Sequence, residues 1–324
     1  IKGVFTNTNP VDAYRGAGRP EAAYLIERLI DKSASELNIS PLKLREINLI
    51  DINDMPYKTA LGHTYDSGNF KKNLFDCIEI SDYKSFKQRK NTSLENNKYR
   101  GIGISTYIEA CGGGGPEYSS LKIGGNGNIE VKIGTQSNGQ GHATSYAQIV
   151  SEVLEVDINE INVIQGNSIE IPKGSGTGGS RSMPVGGNAL FIASKKFLEN
   201  SKKLLSEHLK TTSNSITYKE GFFKHKDKSF SLSDLTQLFD ANKILEVNAE
   251  WAPNVGTYTF PNGTHICELE IDKYSGMVKI LNYTVVDDFG KVINPLLLEG
   301  QVHGGIAQGI GQALLEETIY DDET

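Results

Sequence analysis

Residues 134–145 read GTQSNGQGHATS and lie between a strand-like run and a helix-like run. Before them, LKIGGNGNIEVKIG (121–134) has the texture of two strands, with Asn126 and Gly127 at a hairpin turn. After them, HATSYAQIVSEVLEV (142–156) carries an apolar stripe at helical spacing. A simple connection between a strand and a helix does not need glycines, a glutamine and a histidine together, so this stretch is a candidate ligand contact.

The rest of the sequence predicts a mixture of helices and strands. Pro20 precedes a helical pattern over residues 21–37, and Ser40 caps a short helix that begins at Pro41. Residues 69–90 and 188–210 predict further helices, and the polar residues 91–100 predict a linker. Residues 101–112 and 161–167 are strand-like, residues 267–288 predict two strands around a Tyr-Ser-Gly turn, and residues 299–317 are glycine-rich first and helical afterwards.

These elements predict an α+β fold in three parts. Residues 1–95 form a helical part that carries the AYRGAGRP loop. Residues 96–240 form an α/β lobe that carries the GQG and SRS loops, and residues 241–324 form strands and a glycine-rich helix start that pack back on the rest.

Composition excludes several classes of protein. With 38% hydrophobic and 23% charged residues, the 324-residue chain has the balance of a folded globular protein. A net charge of -7 argues against nucleic acid as a partner, and no apolar run approaches the length of a membrane span. The three cysteines lack CxxC spacing and the N-terminus lacks a secretory pattern, so we expect a cytoplasmic protein without a disulfide framework.

Glycine-rich segments recur at separate places. A single segment is explained by tight turns alone, because glycine adopts positive φ without strain. Several together favour a long, polar, anionic ligand of the dinucleotide type, because glycine lets backbone amides approach phosphates closely. The segments, named here by one residue each, are the Arg15 segment (13–22, AYRGAGRPEA), the Cys111 segment (109–118, EACGGGGPEY), the Gln140 segment (134–145), the Arg181 segment (174–189, GSGTGGSRSMPVGGNA) and the Gln301 segment (299–312, EGQVHGGIAQGIGQ).

Standard catalytic signatures are missing from the sequence. It contains no P-loop, no Rossmann fingerprint and no GxSxG elbow. The histidines have no metal-ligand spacing, and for His142 and His303 a packing role is as good an explanation as a ligand contact. No spacing assigns acid and base roles to the carboxylates near the loops, which are Glu109, Glu117, Asp287, Asp288 and Glu299.

Four ordered motifs resemble the molybdenum-binding subunit of the xanthine dehydrogenase and aldehyde oxidoreductase family. They are VFTNTNPVDAYRGAGRPEAAYLIERLID (4–31), GTQSNGQGHATSYAQIVSEVL (134–154), the Arg181 segment, and residues 285–317. The resemblance implies the mixed strand and helix lobes of the second half of that subunit. It also implies a molybdopterin cofactor, as the cytosine dinucleotide, that holds molybdenum through its dithiolene, so that no side chain ligates the metal.

The resemblance assigns residues to the cofactor and to the substrate. Gln140 would lie beside the dithiolene, with Gly139, Gly141 and His142 around it, and Gln301 would reach the pterin from another side. The backbone near Tyr14, Arg15 and Gly16 would approach the apical ligand of molybdenum. Gly179, Ser180, Arg181 and Ser182 would hold the pterin and phosphates, and Tyr14, Ala17 and Tyr107 would face the substrate.

Two departures from the family shape the expected assembly. The family's chain is usually more than twice as long, which suggests a split gene with a large molybdopterin-binding subunit as partner. The family's catalytic glutamate motif is not found, so no catalytic residue is assigned. Iron–sulfur clusters and FAD on separate subunits would carry electrons to NAD(P).

This split arrangement most resembles the medium molybdopterin subunits of bacterial nicotinate dehydrogenases. It implies an oxidoreductase that hydroxylates an aromatic N-heterocycle, nicotinate to 6-hydroxynicotinate, with oxygen from water. The alternatives are a related hydroxylase acting on purines or aldehydes, a non-catalytic assembly subunit, and a free-standing phosphate-ligand binding module.

Overall fold

The computed structural model describes residues 2–8, 12–124, 127–239, 246–254 and 258–321. Its helices are α1 (Arg19–Glu36), α2 (Pro41–Asn48), α3 (Phe70–Ile80), α4 (Phe86–Glu95), α5 (His142–Leu154), α6 (Asn188–His208), α7 (Leu232–Leu238) and α8 (Pro295–Leu314). Its strands are β1 (Tyr57–Lys58), β2 (Thr64–Tyr65), β3 (Lys98–Ile108), β4 (Glu117–Ile123), β5 (Ile129–Ile133), β6 (Ile161–Ile164), β7 (Thr217–Lys219), β8 (Phe222–His225), β9 (Lys228–Ser231), β10 (Glu246–Trp251), β11 (Asn262–Asp272) and β12 (Val278–Asp288). The predicted α+β fold is confirmed.

The larger core lies between a four-stranded sheet and two helices. The strands are ordered β10-β4-β5-β6, and β5 and β6 run parallel while the other neighbours are antiparallel. Alternate residues of β5 are buried, as expected where one face of a strand meets the core. They join Val150 and Leu154 of α5 and Phe197 of α6 in one cluster. This core positions the Gln140 and Arg181 segments at the starts of α5 and α6.

A second sheet, β12-β11-β3, packs against α3. Leu74, Cys77 and Ile78 of α3 meet Ile104 and Ile266 of the sheet in a smaller cluster. The predicted strand pair around the Tyr-Ser-Gly turn is confirmed as β11 and β12, paired antiparallel. The sheet ends beside the Cys111 segment, which begins where β3 stops.

Smaller elements complete the described chain. Strands β7, β8 and β9 form an antiparallel sheet, and β1 pairs with β2. Within the described ranges, no helix combines the length and the apolar content that crossing a membrane requires. The predicted turn residue Asn126 and the predicted boundary at 240/241 lie outside the described residues.

The predicted single helix over residues 69–90 is wrong, because the chain forms α3 and α4 there. Asp82 between them adopts a left-handed φ of 49°, which a continuous helix does not allow. Arg89 of α4 donates to the backbone oxygen of Asp82 at 2.9 Å and fixes the break.

The predicted linker over residues 91–100 is also wrong. Residues 91–95 complete α4 and residues 98–100 begin β3. The polar side chains are used against the sheet: Ser93 donates to Glu270 at 2.5 Å, and Arg100 donates to Glu268 at 2.5 Å. Similarly, α8 begins at Pro295, before the glycines, because Asn294 caps it by accepting from the Leu297 amide at 2.9 Å.

Candidate functional site

The five glycine-rich segments, far apart in sequence, meet in space. Arg19 of the Arg15 segment forms an ion pair with Glu109 of the Cys111 segment at 3.0 Å. The Cys111 segment meets the Arg181 segment, where Arg181 Nη2 donates to the Gly115 carbonyl at 2.7 Å and Ser175 donates to the Pro116 carbonyl at 3.0 Å. Three contacts therefore join three of the segments.

One threonine of the Arg181 segment connects it to the Gln140 segment by hydrogen bonds. The hydroxyl of Thr177 donates to the Gln136 carbonyl at 2.5 Å and accepts from the Gln136 amide at 3.1 Å. Next to this bond, the backbones of Gly134 and Gly174 pack so closely that a Cβ on either residue would overlap the other. The two loops are thus fixed to each other along their backbones.

Helix α8 contacts both the Gln140 segment and the Arg15 segment. A Cβ on Gly141 would lie 2.6 Å from Cδ2 of Leu297, so the Gln140 segment rests directly on the start of α8. Further along the helix, Gln308 Nε2 donates to the Arg15 carbonyl at 3.2 Å, and Gly304 lies beside the Arg15 guanidinium. The five segments and Leu297 in the first turn of α8 form a closed ring of contacts, called the loop ring below.

Gln301 lies between two parts of the loop ring. Leu297, Gln301, Gly304 and Gln308 are spaced by four, three and four residues, which places them on one side of a helix. Leu297 touches the Gln140 segment and Gln308 touches the Arg15 segment. The exposed side chain of Gln301 therefore lies between the Gln140 and Arg15 segments.

Arg181 holds the loop ring together from inside. It is 3% exposed and forms an ion pair with Glu117, which is 0% exposed. It also donates to the carbonyls of Gly176 at 3.1 Å and Gly115 at 2.7 Å. The Arg181 Nε atom has no partner among the described residues, and it faces Gly114, where a Cβ would lie 3.2 Å away. The guanidinium therefore orders the loops and directs one free donor toward the Cys111 segment.

The backbone around the loop ring leaves room for a ligand. Gly139 and Gly179 have φ of 99° and 66°, and a Cβ on either would meet nothing within 4 Å. The positive φ of these two residues requires glycine, and the space beside each of them is open. A ligand could therefore approach their backbone amides closely. The Gln140 side chain accepts from the Asn138 amide at 2.5 Å, and its NH₂ group has no partner among the described residues.

The remaining predicted cofactor residues differ in position. Ser182 is buried, with its hydroxyl 3.2 Å from that of Thr177. Ser180 adopts a φ of 52° and lines the same cavity as Cys111. His142 is buried against Tyr146, and burial lowers its pKa, so the ring is neutral at pH 7. The geometry of His142 therefore favours a packing role.

The predicted substrate residues are not all brought together. Tyr14 is exposed, and Ala17, with a φ of 48°, donates its amide to the Tyr14 carbonyl at 2.5 Å. Tyr107 instead donates to Asp287 at 2.9 Å, and burial, with Asp287 beside it, raises its pKa. His265 lies 3.5 Å from the same carboxylate. Tyr107 thus belongs to a polar cluster of the β3-β11-β12 sheet.

The two carboxylates of the Cys111 segment are both ion-paired. Glu109 faces Arg19, and burial raises its pKa while Arg19 opposes that shift. Glu117 faces Arg181. In the part of the chain that the structure describes, no group of three His, Cys, Asp or Glu side chains could hold a metal ion. The donor set is one of amides, hydroxyls and glutamines, which fits a cofactor that brings its own sulfur ligands to the metal.

A cavity of about 1100 Å³ begins at Cys111 and Ser180, beside the loop ring. It runs along α5 at Gln148 and Glu152 and is walled by aromatic side chains, among them Phe191. This volume is slightly larger than the roughly 300–1,000 Å³ usual for small-molecule sites. A ligand held by the loop ring can extend into it past Ser180.

Sequence reasoning missed the contacts that close the loop ring. Thr177, Leu297 and Asn294 lie inside quoted motifs but were not singled out, because their role comes from partners far away in sequence. Glu117 and Arg19 also lay inside quoted motifs, but only the fold pairs Glu117 with Arg181 and Arg19 with Glu109. The capping pattern Asn294-Pro295 was a readable signal for the start of α8.

Comparison with known proteins identifies the family. A profile described as the molybdopterin cofactor-binding domain matches residues 76–324, and a second profile of that description matches residues 1–49. The chain belongs to the molybdopterin cofactor-binding family. This confirms the resemblance to molybdenum-binding subunits of the xanthine dehydrogenase family that the four motifs indicated.

Three relatives show how much of a larger protein these residues span. The carbon monoxide dehydrogenase large chain of Hydrogenophaga pseudoflava is 32% identical over 99% of this chain and 43% of its own length. The nicotine 6-hydroxylase large subunit of Paenarthrobacter nicotinovorans is 29% identical over 99% of this chain and 42% of its own. Quinoline 2-oxidoreductase from Pseudomonas putida 86 superposes with a TM-score of 0.86 and 29% identity, covering 95% of this chain and 42% of that one. The 324 residues thus span less than half of each.

Proposed function

We propose that these residues form one side of the active site of a molybdenum hydroxylase, with the loop ring as the seat of the molybdopterin. The closed ring of contacts carries the proposal, because it brings Gln140, Gln301 and the Arg15 backbone around one space. Bound molybdopterin supplies two-electron redox chemistry at its metal. The chain's own residues orient it through amides, hydroxyls and the Arg181-stabilised loops.

The cavity beside Ser180 supports the dinucleotide form of the cofactor. Molybdopterin alone ends in one phosphate, whereas a cytosine dinucleotide carries a further nucleotide that needs its own space. The phenylalanines of the cavity wall offer stacking surfaces to a base, and Gln148 and Asn188 offer amide groups to its edge. We propose that the nucleotide occupies this cavity.

For the substrate we propose an electron-poor aromatic N-heterocycle, with nicotinate as the first candidate. Two of the three relatives are named for nicotine and quinoline, and the third is named for carbon monoxide. The general base is proposed to come from outside the Cys111 segment, because both carboxylates of that segment, Glu109 and Glu117, are held by arginines. The proposed partners are a large molybdopterin-binding subunit and subunits with iron–sulfur clusters and FAD, which pass electrons to NAD(P).

The test is native mass spectrometry with metal analysis on the tagged protein purified from its own host. The proposal expects about one molybdenum per complex, a released cytosine nucleotide, and turnover of nicotinate. Turnover of carbon monoxide, a purine or an aldehyde instead would overturn the substrate while leaving the cofactor site intact. A protein without molybdenum or pterin would overturn the function.

A matched pair of variants separates a catalytic site from a scaffold. Gln140→Ala removes a side chain of the loop ring, and Gln237→Ala removes an exposed glutamine of α7. The proposal expects loss of molybdenum and turnover in the first variant only. Equal molybdenum content and turnover in both variants would favour a non-catalytic assembly subunit.

A further inference from the structure

Four polar side chains form a continuous row on one face of the β12-β11-β3 sheet. The Tyr107 hydroxyl donates to Oδ1 of Asp287 at 2.9 Å, and Nε2 of His265 lies 3.5 Å from the same oxygen. Nδ1 of His265 lies 3.1 Å from the Tyr283 hydroxyl. Ile266, the next residue, packs against α3, so the row lies on the opposite face of the sheet. These four residues are called the His265 cluster below.

A glycine in the middle strand lets Tyr107 reach Asp287. Gly263 of β11 pairs with Tyr107 of β3 on one side and with Asp287 of β12 on the other. The two outer strands are roughly 10 Å apart, so the tyrosine ring has to cross the middle strand. A Cβ on Gly263 would lie 2.9 Å from Cε1 of Tyr107 and would overlap Oδ1 of Asp287. The contact between the outer strands therefore depends on the glycine.

Asp287 is a nearly buried carboxylate without a permanent cation. Its side chain is 7% exposed, and among the residues that the structure describes its ion-pair partner is His265, not a lysine or an arginine. The buried carboxylates of Glu117 and Glu268, by contrast, face arginines. Histidine is the side chain that gains and loses a proton most readily near neutral pH. The Asp287–His265 pair is therefore suited to taking up and releasing a proton.

One end of the row lies at the loop ring. The pairing of β3 with its neighbour continues past the strand, because the Glu109 amide donates to the Pro261 carbonyl at 2.9 Å. Residues i and i+2 of an extended chain share a face, so Glu109 follows Tyr107 on the same side. Burial raises the pKa of Tyr107, and the charges of Asp287 and Glu109 add to this shift. Tyr107 thus stays a proton donor beside the contact of Glu109 with Arg19.

The other end of the row lies at a recess between β12 and α8. The recess has a volume of about 530 Å³, and Tyr283 and His303 both line it. This volume admits several water molecules, each of which occupies about 30 Å³ in the liquid. The side chain of His303 is 70% exposed and lies 3.9 Å from Glu299, one turn earlier in α8. A proton on Tyr283 therefore has a route through water and His303 to the solvent.

The proposed reaction requires such a route. Hydroxylation of a carbon by water releases two protons along with the two electrons that pass to the iron–sulfur and flavin subunits. We propose that the His265 cluster carries these protons, one at a time, from the loop ring to the recess beside α8. This inference rests on the proposed function and assigns further residues to it.

Each transfer moves one proton in and one proton out. A proton that arrives at the Tyr107 oxygen displaces the hydroxyl proton, which moves to Asp287. Asp287 then protonates Nε2 of His265, and the proton on Nδ1 of His265 moves to the Tyr283 oxygen. Tyr283 releases its own hydroxyl proton to water in the recess. Rotation of the hydroxyls and exchange of the histidine tautomer restore the starting state.

The first test measures turnover in the complex purified from its host. His265→Phe keeps a ring at the place where Tyr107 and Tyr283 meet it edge-on, at centroid distances of 5.5 and 5.7 Å, and removes both nitrogens. The proposal expects wild-type molybdenum content and melting temperature. Nicotinate turnover should fall by about 100-fold, the lower end of the effect of a positioned proton-transfer group, and should partly recover when free imidazole is added. The control His208→Phe, at the exposed end of α6, should keep wild-type turnover.

Two results of this test would overturn the proposal. One is turnover of His265→Phe equal to that of wild type. The other is a loss of turnover that imidazole does not restore, because a base that diffuses in replaces a lost proton carrier but does not repair a packing defect. Tyr107→Phe removes a single hydroxyl from the same row and is a second variant. Its turnover should also fall, and wild-type turnover in Tyr107→Phe would equally overturn the proposal.

A second measurement needs neither molybdenum nor substrate. The ring N–H protons of the complex, with isotope-labelled histidine, are followed by NMR, and the His265 signal is identified by its loss in His265→Phe. The proposal expects exchange of this proton with water to slow by at least about tenfold in Tyr283→Phe. Tyr99→Phe, which changes an exposed tyrosine of β3, should leave the exchange unchanged. Equal exchange rates in wild type and Tyr283→Phe would overturn the proton path.

The two measurements separate this proposal from the proposed function. If the wild-type complex lacks molybdenum and turnover while Tyr283→Phe slows the exchange, the function is refuted and the path between the recess and His265 is kept. If wild type and His265→Phe turn over nicotinate equally, the function is kept and the proton path is refuted.

Discussion

Replacing Arg181 with methionine tests whether one buried ion pair holds the loop ring together. The change removes the positive charge beside Glu117, which is 0% exposed, and two bonds to the carbonyls of Gly115 and Gly176. Breaking a buried pair on one side costs about 3–5 kcal/mol, because the remaining charge is left without compensation. The two carbonyls lie in exposed glycine loops and can turn to water, so we expect the total to stay near 3–5 kcal/mol.

The assay is urea unfolding of wild type and variant, with Arg28→Met as the control. Arg28 faces Asp31 at 3.8 Å with 67% of its side chain exposed, so its removal is expected to change the free energy of unfolding by less than about 1 kcal/mol. Adding Glu117→Leu to Arg181→Met removes the uncompensated carboxylate and should restore at least half of the loss. A single variant within about 1 kcal/mol of wild type, or a double variant no more stable than the single one, would refute the reasoning.

Three further changes test the loops, the helix and the pH response. Gly134→Ala would place a Cβ 2.8 Å from the Lys173 carbonyl, so it should lower the free energy of unfolding by about 1–3 kcal/mol. In the control Gly103→Ala, the added Cβ meets nothing within 4 Å, and the free energy of unfolding should change by less than about 0.5 kcal/mol. Equal effects of the two substitutions in urea unfolding would contradict the close loop packing. Asn294→Ala removes the α8 cap and a 2.8 Å bond to Gln148, and should cost about 1–2 kcal/mol in thermal unfolding; no change would show that the cap does not fix α8. Burial raises the pKa of Glu268, but hydrogen bonds from Arg89 and Arg100 outweigh it and leave the pKa below the ordinary value. The ionised Glu268 carboxylate therefore stabilises the fold above about pH 4.5, and this contribution is lost as the pH falls. Glu268→Gln should therefore flatten the acid side of a melting-temperature profile measured between pH 3 and 6. An unchanged slope would contradict a stabilising role for the hydrogen bonds from Arg89 and Arg100 to Glu268.

The sequence was most informative where local rules decide the structure. The apolar stripe of α5, the Ser40 cap of α2 and the β11-β12 hairpin follow from spacing and turn chemistry, and the structure confirms them. Residues 91–100 misled the prediction because their polarity serves the ion pairs with Glu268 and Glu270, which are about 170 residues away. Composition cannot distinguish a polar residue paired across a sheet from one in solvent.

The candidate site was predictable in its parts and not in its arrangement. Glycine-rich motifs pointed to the segments that meet in the loop ring, because positive φ and close approach require glycine locally. The order in which the segments touch depends on Thr177, Leu297 and the Arg181–Glu117 pair, whose partners the fold alone brings near. The hydrogen bond from the Tyr107 hydroxyl to Asp287 also depends on the fold, because the two residues are far apart in sequence.

The central claim is that the loop ring holds molybdopterin with Gln301 facing it. The most direct measurement is the molybdenum and pterin content per complex of Gln301→Ala and of Gln312→Ala, an exposed glutamine on the same helix. We predict that the first variant loses most of its molybdenum and pterin while its fold, measured by thermal unfolding, is unchanged, and that the second retains the wild-type content. Full molybdenum and pterin content in Gln301→Ala would contradict the account.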